Sequence, residues 1–327
     1  MQLALDEGWK YQGLTYPNPA VGCCIVGQSG EILAVAAHKK SGCPHAEVEA
    51  LKEAYFKLTK DEEILSFVNS VDIHKYLIKN HNNLFHNISL YTTLEPCSHI
   101  GKTPSCADLI CSLGIKKVYI GSKDINPIAS CGVDKLLACG VDVESGVLQN
   151  GCDDLLLPFS MWQKERFVFF KWAQRLNGST DGGVISSKDS RKKVHGMRGV
   201  CDLLIIGGNT VRLDRPTLDA RLVGANAPDI LIISKQQEFD KTIPLFGVKN
   251  RKVIISDNFS TCQEYKNIMI EGGANMYRLT KKMVDLYLCF VAPKFGGSEG
   301  FEKIDDDFEI LNLQKESQDI MMWMKRK

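Results

Sequence analysis

Two short segments of the chain carry side chains that together can bind a catalytic metal ion. One is the tetrapeptide PHAE, which contains His45 and Glu47, and the other runs from EPC, which contains Cys97, to Cys106. One imidazole and two thiolates suit a zinc ion that keeps a fourth position open, and zinc lowers the pKa of water in that position to near neutrality. We therefore predict that His45, Cys97 and Cys106 bind Zn2+.

Glu47 follows the predicted histidine ligand by two residues, and we predict that it carries protons rather than binds metal. A carboxylate in this role takes a proton from the attacking water and returns it to a departing amine. The His-x-Glu and Pro-Cys pattern is typical of zinc deaminases that act on nucleobases. A lone histidine or cysteine is more often an ordinary helical or buried residue, and a structural zinc needs four closed ligands but no glutamate. The joint pattern favours a catalytic site.

The predicted secondary structure can bring the two segments together. Apolar residues with helical spacing follow His45, and a strand-like run over residues 88–94 precedes EPC. The remaining elements predicted in this half are a helix within residues 1–13, strands at 20–26, 31–37, 116–121 and 141–147, and helices at 107–113 and 132–139. This pattern indicates an α/β/α layer domain.

Residues 57–87 are rich in Lys, Asp, Glu and Asn, and we predict that they form a helical insertion. The histidines of this segment, His74, His81 and His86, have no ligand-like spacing and are predicted to lie on the surface. The insertion should leave the metal site intact.

Length and charge limit the classes of function. A chain of 327 residues is long for one domain, so we predict two, at residues 1–148 and 149–327. The 40 basic and 39 acidic residues show no excess of positive charge, which favours a small-molecule substrate over nucleic acid. The absence of a long apolar run or a signal-like N-terminus predicts no membrane contact and a cytoplasmic location. Six cysteines are predicted to be reduced thiols in or near the core: Cys23, Cys24, Cys111, Cys139, Cys201 and Cys289.

The second half begins with an apolar strand predicted at residues 166–173. Two later segments, 202–210 and 267–276, each have the pattern of a strand followed by paired glycines. Glycines let the backbone approach a ligand, and a helix N-terminus after them can bind phosphate. The signal is weak, because tight turns share it and the chain contains no Gly-x-Gly-x-x-Gly motif.

Four motifs occur in the order of a known family: YPNPAVG, PHAEV, TLEPCSH and GKTPSC. In this order they resemble the bifunctional deaminase/reductases of riboflavin biosynthesis, the RibD family. Eight residues separate Cys97 from Cys106, as in that family, whereas cytidine and tRNA-adenosine deaminases have Cys-x-x-Cys at this place. The resemblance implies an α/β protein with an N-terminal cytidine-deaminase-like domain and a dihydrofolate-reductase-like domain after it.

The resemblance also implies two successive reactions. The first is the zinc-dependent hydrolytic deamination of 2,5-diamino-6-ribosylamino-4(3H)-pyrimidinone 5′-phosphate, and the second is the NADPH-dependent reduction of the ribosyl side chain to ribityl. Residues implied as contacts to the deaminase substrate are Asn18, His38, His99, Lys102, Asp124 and Asn126. A homodimer or a higher homo-oligomer is expected.

In the second half, the sequences DRPTL and VAPKFGGS carry the resemblance. Residues implied as substrate neighbours of the reductase are Arg198, Leu218, Arg221 and Glu271. Residues implied as NADPH neighbours are Ala173, Thr210, Asp214, Lys235, Gly273, Ala274, Asn275 and Met276. Lys235 follows a predicted strand and could meet the 2′-phosphate, although a solvated surface lysine is an equal alternative.

The second half also departs from the family pattern. Asn177 stands in place of the family's aspartate in Leu-Asp-Gly, Arg215 replaces a second aspartate, and a loop before Val184 is shorter. These departures motivate an alternative in which only the deaminase works and the C-terminal domain serves dimerisation or substrate holding. A third hypothesis is a deaminase of flipped bases in nucleic acid, which needs a basic face and stacking aromatic residues; the near-zero net charge argues against it.

Overall fold

The computed structural model describes residues 1–99, 103–125, 131–301 and 304–327. Within these ranges the chain forms two compact units, Met1–Gln163 and Lys164–Lys327. The sequence analysis puts the boundary between residues 148 and 149, whereas the units divide about one helix later. That helix packs on the first unit: Leu156 belongs to its core, and Gln12 Nε2 donates to the carbonyl oxygen of Leu155 at 2.6 Å.

The first unit is built on a five-stranded sheet with the order β2-β1-β3-β4-β5. Its strands are β1 (Gly22–Val26), β2 (Ile32–Ala37), β3 (Ser89–Leu94), β4 (Lys117–Ser122) and β5 (Asp142–Ser145). β1 is antiparallel to β2 and β3, and the last three strands are parallel to one another. The strands predicted at residues 20–26 and 31–37 are therefore confirmed, and they pair as a hairpin.

The helices of this unit are α1 (Gln2–Trp9), α2 (Ala46–Thr59), α3 (Ser70–Asn80), α4 (Cys106–Ser112), α5 (Gly132–Ala138) and α6 (Gln149–Lys164). α2 buries Val48, Leu51 and Tyr55, whose spacing puts them on one helical face. The helix ends at Lys60, which adopts the left-handed conformation with φ 61°. The regular apolar spacing after His45 therefore produces the predicted helix and places His45 at its N-cap.

The segment 57–87 is helical, as predicted, but His74 is not a surface residue. It is 5% exposed and lies on α3 beside the buried Ile73 and Leu77. The prediction for His74 was wrong because α3 is amphipathic, and its apolar face packs into the core of the first unit. His86 is exposed, whereas His81 is half-buried.

Two of the six cysteines predicted to be reduced are joined instead. Cys111 and Cys139 form a disulfide with a Cα–Cα distance of 5.9 Å, a separation typical of such bonds. They are brought together because α4 and α5 pack side by side, a contact between segments that the sequence pattern does not reveal. The other four are buried, unpaired thiols, as predicted: Cys23, Cys24, Cys201 and Cys289.

The second unit contains an eight-stranded sheet with the order β12-β13-β11-β6-β10-β7-β8-β9. Its strands are β6 (Phe167–Arg175), β7 (Leu203–Gly207), β8 (Asp229–Ile233), β9 (Val253–Ser256), β10 (Asn267–Glu271), β11 (Leu286–Ala292), β12 (Phe308–Glu316) and β13 (Asp319–Arg326). Pairing from β11 through β9 is parallel, and β13 is antiparallel to β11 and β12. The helices are α7 (Lys188–Arg198), α8 (Gly208–Asp214) and α9 (Ala274–Thr280).

Parallel strands are usually covered on both faces, which accounts for the continuous apolar runs of this half. Phe170 in β6 and Ile205 in β7, for example, are fully buried. Among the described residues, no helix has both the length and the apolar character needed to cross a membrane.

Candidate active site

The three predicted zinc ligands, one nitrogen and two sulfur atoms, lie close together in the first unit. His45 precedes α2, Cys97 follows β3 by three residues, and Cys106 begins α4. His45 Nδ1 lies 3.7 Å from Cys97 Sγ and 3.4 Å from Cys106 Sγ. Tetrahedral zinc with ordinary bond lengths separates N and S ligands by about 3.5 Å and S and S ligands by about 3.8 Å. The three side chains therefore have both the chemistry and the spacing of a zinc site.

The environment of the ligands suits metal binding. A hydrogen bond with the Cys106 thiol, opposed by burial, lowers the pKa of Cys97 to about 4, which favours the thiolate. His45 turns Nδ1 towards the sulfur atoms, and its Nε2 lies 3.3 Å from Thr103 Oγ1. A second contact of this kind fixes the orientation of a histidine ligand.

Glu47 lies in the first turn of α2 and is 4% exposed. Burial raises the pKa of its carboxyl group to about 7, and a positive charge on His45 acts in the opposite direction. A group with a pKa near neutrality can both accept and release a proton at physiological pH. Glu47 therefore has the properties required of the proton carrier.

A cavity of about 290 Å³ is lined by His45, Cys97 and Glu47. Predicted substrate contacts that line it are Asn18, His38, His99 and Asp124. Nδ1 of His99 is buried without a hydrogen-bond partner among the described residues, as expected of a group that meets a ligand. Lys102 and Asn126 lie outside the described residues.

Asn18 and His38 form an ordered pair in this cavity. His38 Nδ1 lies 2.9 Å from the carbonyl oxygen of Pro44, which can only accept, so this nitrogen is the donor. Burial lowers the pKa of His38 to about 4, so Nε2 is the acceptor for Asn18 Nδ2 at 3.1 Å. Both ring nitrogens of His38 are thus engaged within the protein, and the amide oxygen of Asn18 is oriented by the pair.

In the second unit, the predicted substrate neighbours meet around a buried ion cluster. Arg198 Nε and Nη2 donate to the carboxylate of Glu271 at 2.7 and 2.9 Å, and Lys171 Nζ lies 3.5 Å from it. Burial raises the pKa of Glu271, but the charges of Arg198 and Lys171 outweigh this and hold it at about 2. Glu271 is therefore ionised at neutral pH and unsuited to donate a proton.

The other two predicted substrate neighbours adjoin this cluster. Arg198 Nη1 donates to the carbonyl oxygen of Asp219 at 3.5 Å, and Arg221 Nη1 pairs with the Asp219 carboxylate at 2.7 Å. Leu218 precedes Asp219 and is buried. The structure thus brings all four predicted residues into one region.

The predicted NADPH neighbours lie along one edge of the second sheet. β6, β10, β7 and β8 are adjacent and parallel, so their carboxyl ends meet at the same edge. Most of the predicted neighbours fall in or just after these strands: Ala173, Thr210, Lys235, Gly273, Ala274, Asn275 and Met276. Asp214 is different, because it ends α8 and is exposed.

Comparison with known proteins identifies the family. Residues 1–122 match the cytidine and deoxycytidylate deaminase zinc-binding region, and residues 166–320 match the RibD C-terminal domain. The riboflavin biosynthesis protein RibD of Aquifex aeolicus (strain VF5) is 30% identical over 377 residues, an alignment that covers 100% of this chain and 97% of the relative. The chain belongs to the RibD family.

Solved structures of RibD proteins agree with this assignment. A Thermotoga maritima structure is described as a diaminohydroxyphosphoribosylaminopyrimidine deaminase/5-amino-6-(5-phosphoribosylamino)uracil reductase. It is 27% identical to this chain and superposes with a TM-score of 0.66. The alignment covers 100% of this chain and 97% of the Thermotoga maritima chain. Acinetobacter baumannii RibD shares the fold, with 24% identity, the same coverages and a TM-score of 0.62.

The RibD assignment confirms the predicted fold class and the predicted bifunctional enzyme of riboflavin biosynthesis. It does not favour the alternative of a deaminase with an inactive second domain, because the RibD C-terminal domain matches residues 166–320. Sequence analysis did not assign roles to three residues that contact the predicted sites: Glu95, Thr103 and Lys171. Glu95 and Thr103 lie within the quoted motifs, but only their contacts reveal what they touch.

Proposed function

We propose that the first unit deaminates 2,5-diamino-6-ribosylamino-4(3H)-pyrimidinone 5′-phosphate and that the second unit reduces the ribosyl group of the product to ribityl with NADPH. The observation that carries the proposal is the cluster of His45, Cys97 and Cys106 next to a cavity that His45, Cys97 and the buried Glu47 line. The substrate follows from the activity by which the Thermotoga maritima relative is described.

In the deaminase, His45, Cys97 and Cys106 hold the metal. A zinc ion bound there would lower the pKa of a bound water molecule to near neutrality, so that this water can release a proton. Glu47 takes that proton and returns it to the leaving nitrogen, so that a ring C–O bond replaces the C–N bond and ammonia departs. Asn18, oriented by His38, contacts the ring, and further substrate contacts come from His99, Lys102, Asp124 and Asn126.

The test of this step is a pair of matched variants on one helix. Glu47→Gln keeps the size of the side chain but cannot carry the proton, so ammonia release should fall by about a hundredfold or more while the zinc content stays the same. Glu49→Gln, in the same helical turn but outside the cavity lining, should behave as the wild type. Equal activity of the two variants would contradict the role of Glu47.

In the reductase, NADPH binds at the carboxyl ends of β6, β10, β7 and β8. Lys235 would contact the 2′-phosphate of NADPH, and Arg198, Leu218, Arg221 and Glu271 would surround the substrate. NADPH would give a hydride to C1′ of the opened sugar, and the nitrogen bonded to C1′ would take one proton. Lys235→Gln should raise KM for NADPH about tenfold without changing KM for NADH; equal changes for both cofactors would contradict the assignment.

The assembly and the location of the enzyme complete the proposal. We propose a homodimer or a higher homo-oligomer acting in the cytoplasm on a small molecule. Sedimentation equilibrium of the purified chain tests the first statement, and a monomer at micromolar concentration would contradict it. Cell fractionation tests the second.

A further inference from the structure

The loop that carries Cys97 holds a second buried carboxylate, which belongs to Glu95. This side chain is 6% exposed and lines the same cavity as Glu47. It lies outside the three-ligand set, and the reaction above gives it no proton to carry. Its partners are backbone amides of the segment that follows β4.

The two carboxylate oxygens of Glu95 bind two separate points of that segment. Oε2 accepts the amide N–H of Asp124 at 3.2 Å, and Oε1 accepts that of Val133 at 2.9 Å. The amide of Glu95 itself donates to the carbonyl oxygen of Ser122 at 2.9 Å. One side chain thus ties both ends of the connection between β4 and α5 to the loop after β3.

Two further contacts hold the same elements together. Gly132 begins α5 so close to the loop that a Cβ atom would lie 1.9 Å from the carbonyl oxygen of Pro96. Lys135 Nζ lies 3.4 Å from the carbonyl oxygen of Ser98 and 2.6 Å from Asp108 on α4. The amide contacts of Glu95 are therefore part of a close interface, and any shift of α5 would move them.

We propose that Glu95 is a positioning residue of the deaminase, which latches the segment bearing Asp124 onto the zinc-binding loop and thereby sets the substrate-binding side of the cavity. The inference rests on the proposed function, in which Asp124 contacts the substrate. Glu95 acts through Asp124 and touches no reacting atom. Loss of the latch should weaken substrate binding more than it slows the chemical step.

The test compares Glu95→Gln with wild type in the full-length, zinc-loaded chain. The amide side chain offers one acceptor oxygen instead of two, so the backbone N–H of either Asp124 or Val133 loses its partner. We expect KM for ammonia release to rise about tenfold, as for the loss of a hydrogen bond to a charged group. The value of kcat should stay within about twofold. Zinc content should be unchanged, as should NADPH oxidation when the deaminated product is supplied.

Two other variants make the test specific. Gly132→Ala keeps the carboxylate of Glu95 but places a Cβ atom 1.9 Å from the carbonyl oxygen of Pro96 and 3.3 Å from Glu95 Cγ, so it should displace α5 and raise KM in the same way. Glu31→Gln is the control, because Glu31 also accepts a backbone N–H, that of Ser29 at 3.0 Å, but in an exposed turn outside the cavity lining. It should leave KM unchanged.

Hydrogen exchange gives a readout that does not depend on activity. The amides of Asp124 and Val133 should exchange faster in Glu95→Gln than in wild type or Glu31→Gln. If the amides of Glu95→Gln exchange faster but its KM is unchanged, the positioning role is overturned. It is also overturned if neither amide exchange nor KM changes in this variant. If the wild type releases no ammonia, the proposed deaminase fails, and exchange alone then supports or overturns the latch.

Discussion

The buried ion cluster of the second unit predicts a large stability effect from one substitution. Arg198→Met keeps the length and much of the apolar surface of the side chain but removes the charge that binds Glu271 at two atoms. The carboxylate of Glu271, only 13% exposed, would then keep Lys171 alone as a partner, at 3.5 Å. A buried charge that loses its main partner is strongly destabilising.

The shift in the pKa of Glu271 gives the size of the expected destabilisation. Folding lowers the pKa of Glu271 from an ordinary value of 4.5 to about 2. At about 1.4 kcal/mol per pKa unit, the ionised group contributes roughly 3 kcal/mol to the free energy of unfolding at neutral pH. Because the folded pKa is the lower one, this stability is present above pH 4.5 and is lost as pH falls towards 2. We expect Arg198→Met to lower the free energy of unfolding by about 3 kcal/mol at pH 7. In the wild type, the contribution of Glu271 to this free energy should fall to roughly 1.4 kcal/mol at pH 3.

Hydrogen exchange of the β10 amides measures the opening free energy of this unit separately from that of the first. Arg215→Met is the control, because Arg215 pairs with Asp240 at 2.7 Å while both side chains are about half exposed, a setting in which ion pairs contribute about 0 to 1 kcal/mol. If Arg198→Met costs no more than this control, the cluster does not stabilise the unit and the pKa argument is wrong.

Three further results are expected. A strong chelator should abolish ammonia release but spare NADPH oxidation when the deaminated product is supplied as the substrate, and added zinc should restore the lost activity; loss of both activities in these separate assays would contradict separate sites. Cys111→Ser opens a cross-link between residues 28 apart in sequence and should lower the unfolding free energy of the first unit by about 3 kcal/mol. A dithiol reductant should lower the unfolding free energy of the wild type by a similar amount. If neither Cys111→Ser nor the reductant has an effect, the disulfide does not stabilise the unit. Gly22→Ala places Cβ 1.8 Å from the carbonyl oxygen of Ala4 and should lower the melting temperature, unlike Gly247→Ala, whose Cβ meets nothing within 4 Å.

Local patterns in the sequence were sufficient to predict most elements and the three side chains that cluster as candidate zinc ligands. His45 and Glu47 lie two residues apart, so a helix start after His45 brings both to one place. The β1–β2 hairpin follows from two short apolar runs on either side of a glycine-containing turn. These features depend on neighbours in the chain, and residue type and spacing therefore predict them.

The sequence pattern did not predict contacts between segments that lie far apart in the chain. Periodicity does not reveal that α4 and α5 bring Cys111 to Cys139, or that the apolar face of α3 buries His74. The same holds for the ion pairs of Lys171 and for the amides that Glu95 binds.

The sequence by itself determined the chemistry of this protein: one imidazole, two thiols and a carboxylate in motifs that resemble the RibD family. Only the tertiary structure decided which groups are buried and which charges face one another. Burial and pairing set the pKa of Glu47 near 7 and that of Glu271 near 2, although both are glutamates with the same intrinsic acidity. The physical reason is that desolvation and Coulomb interactions depend on distance in space, which residue order along the chain does not specify.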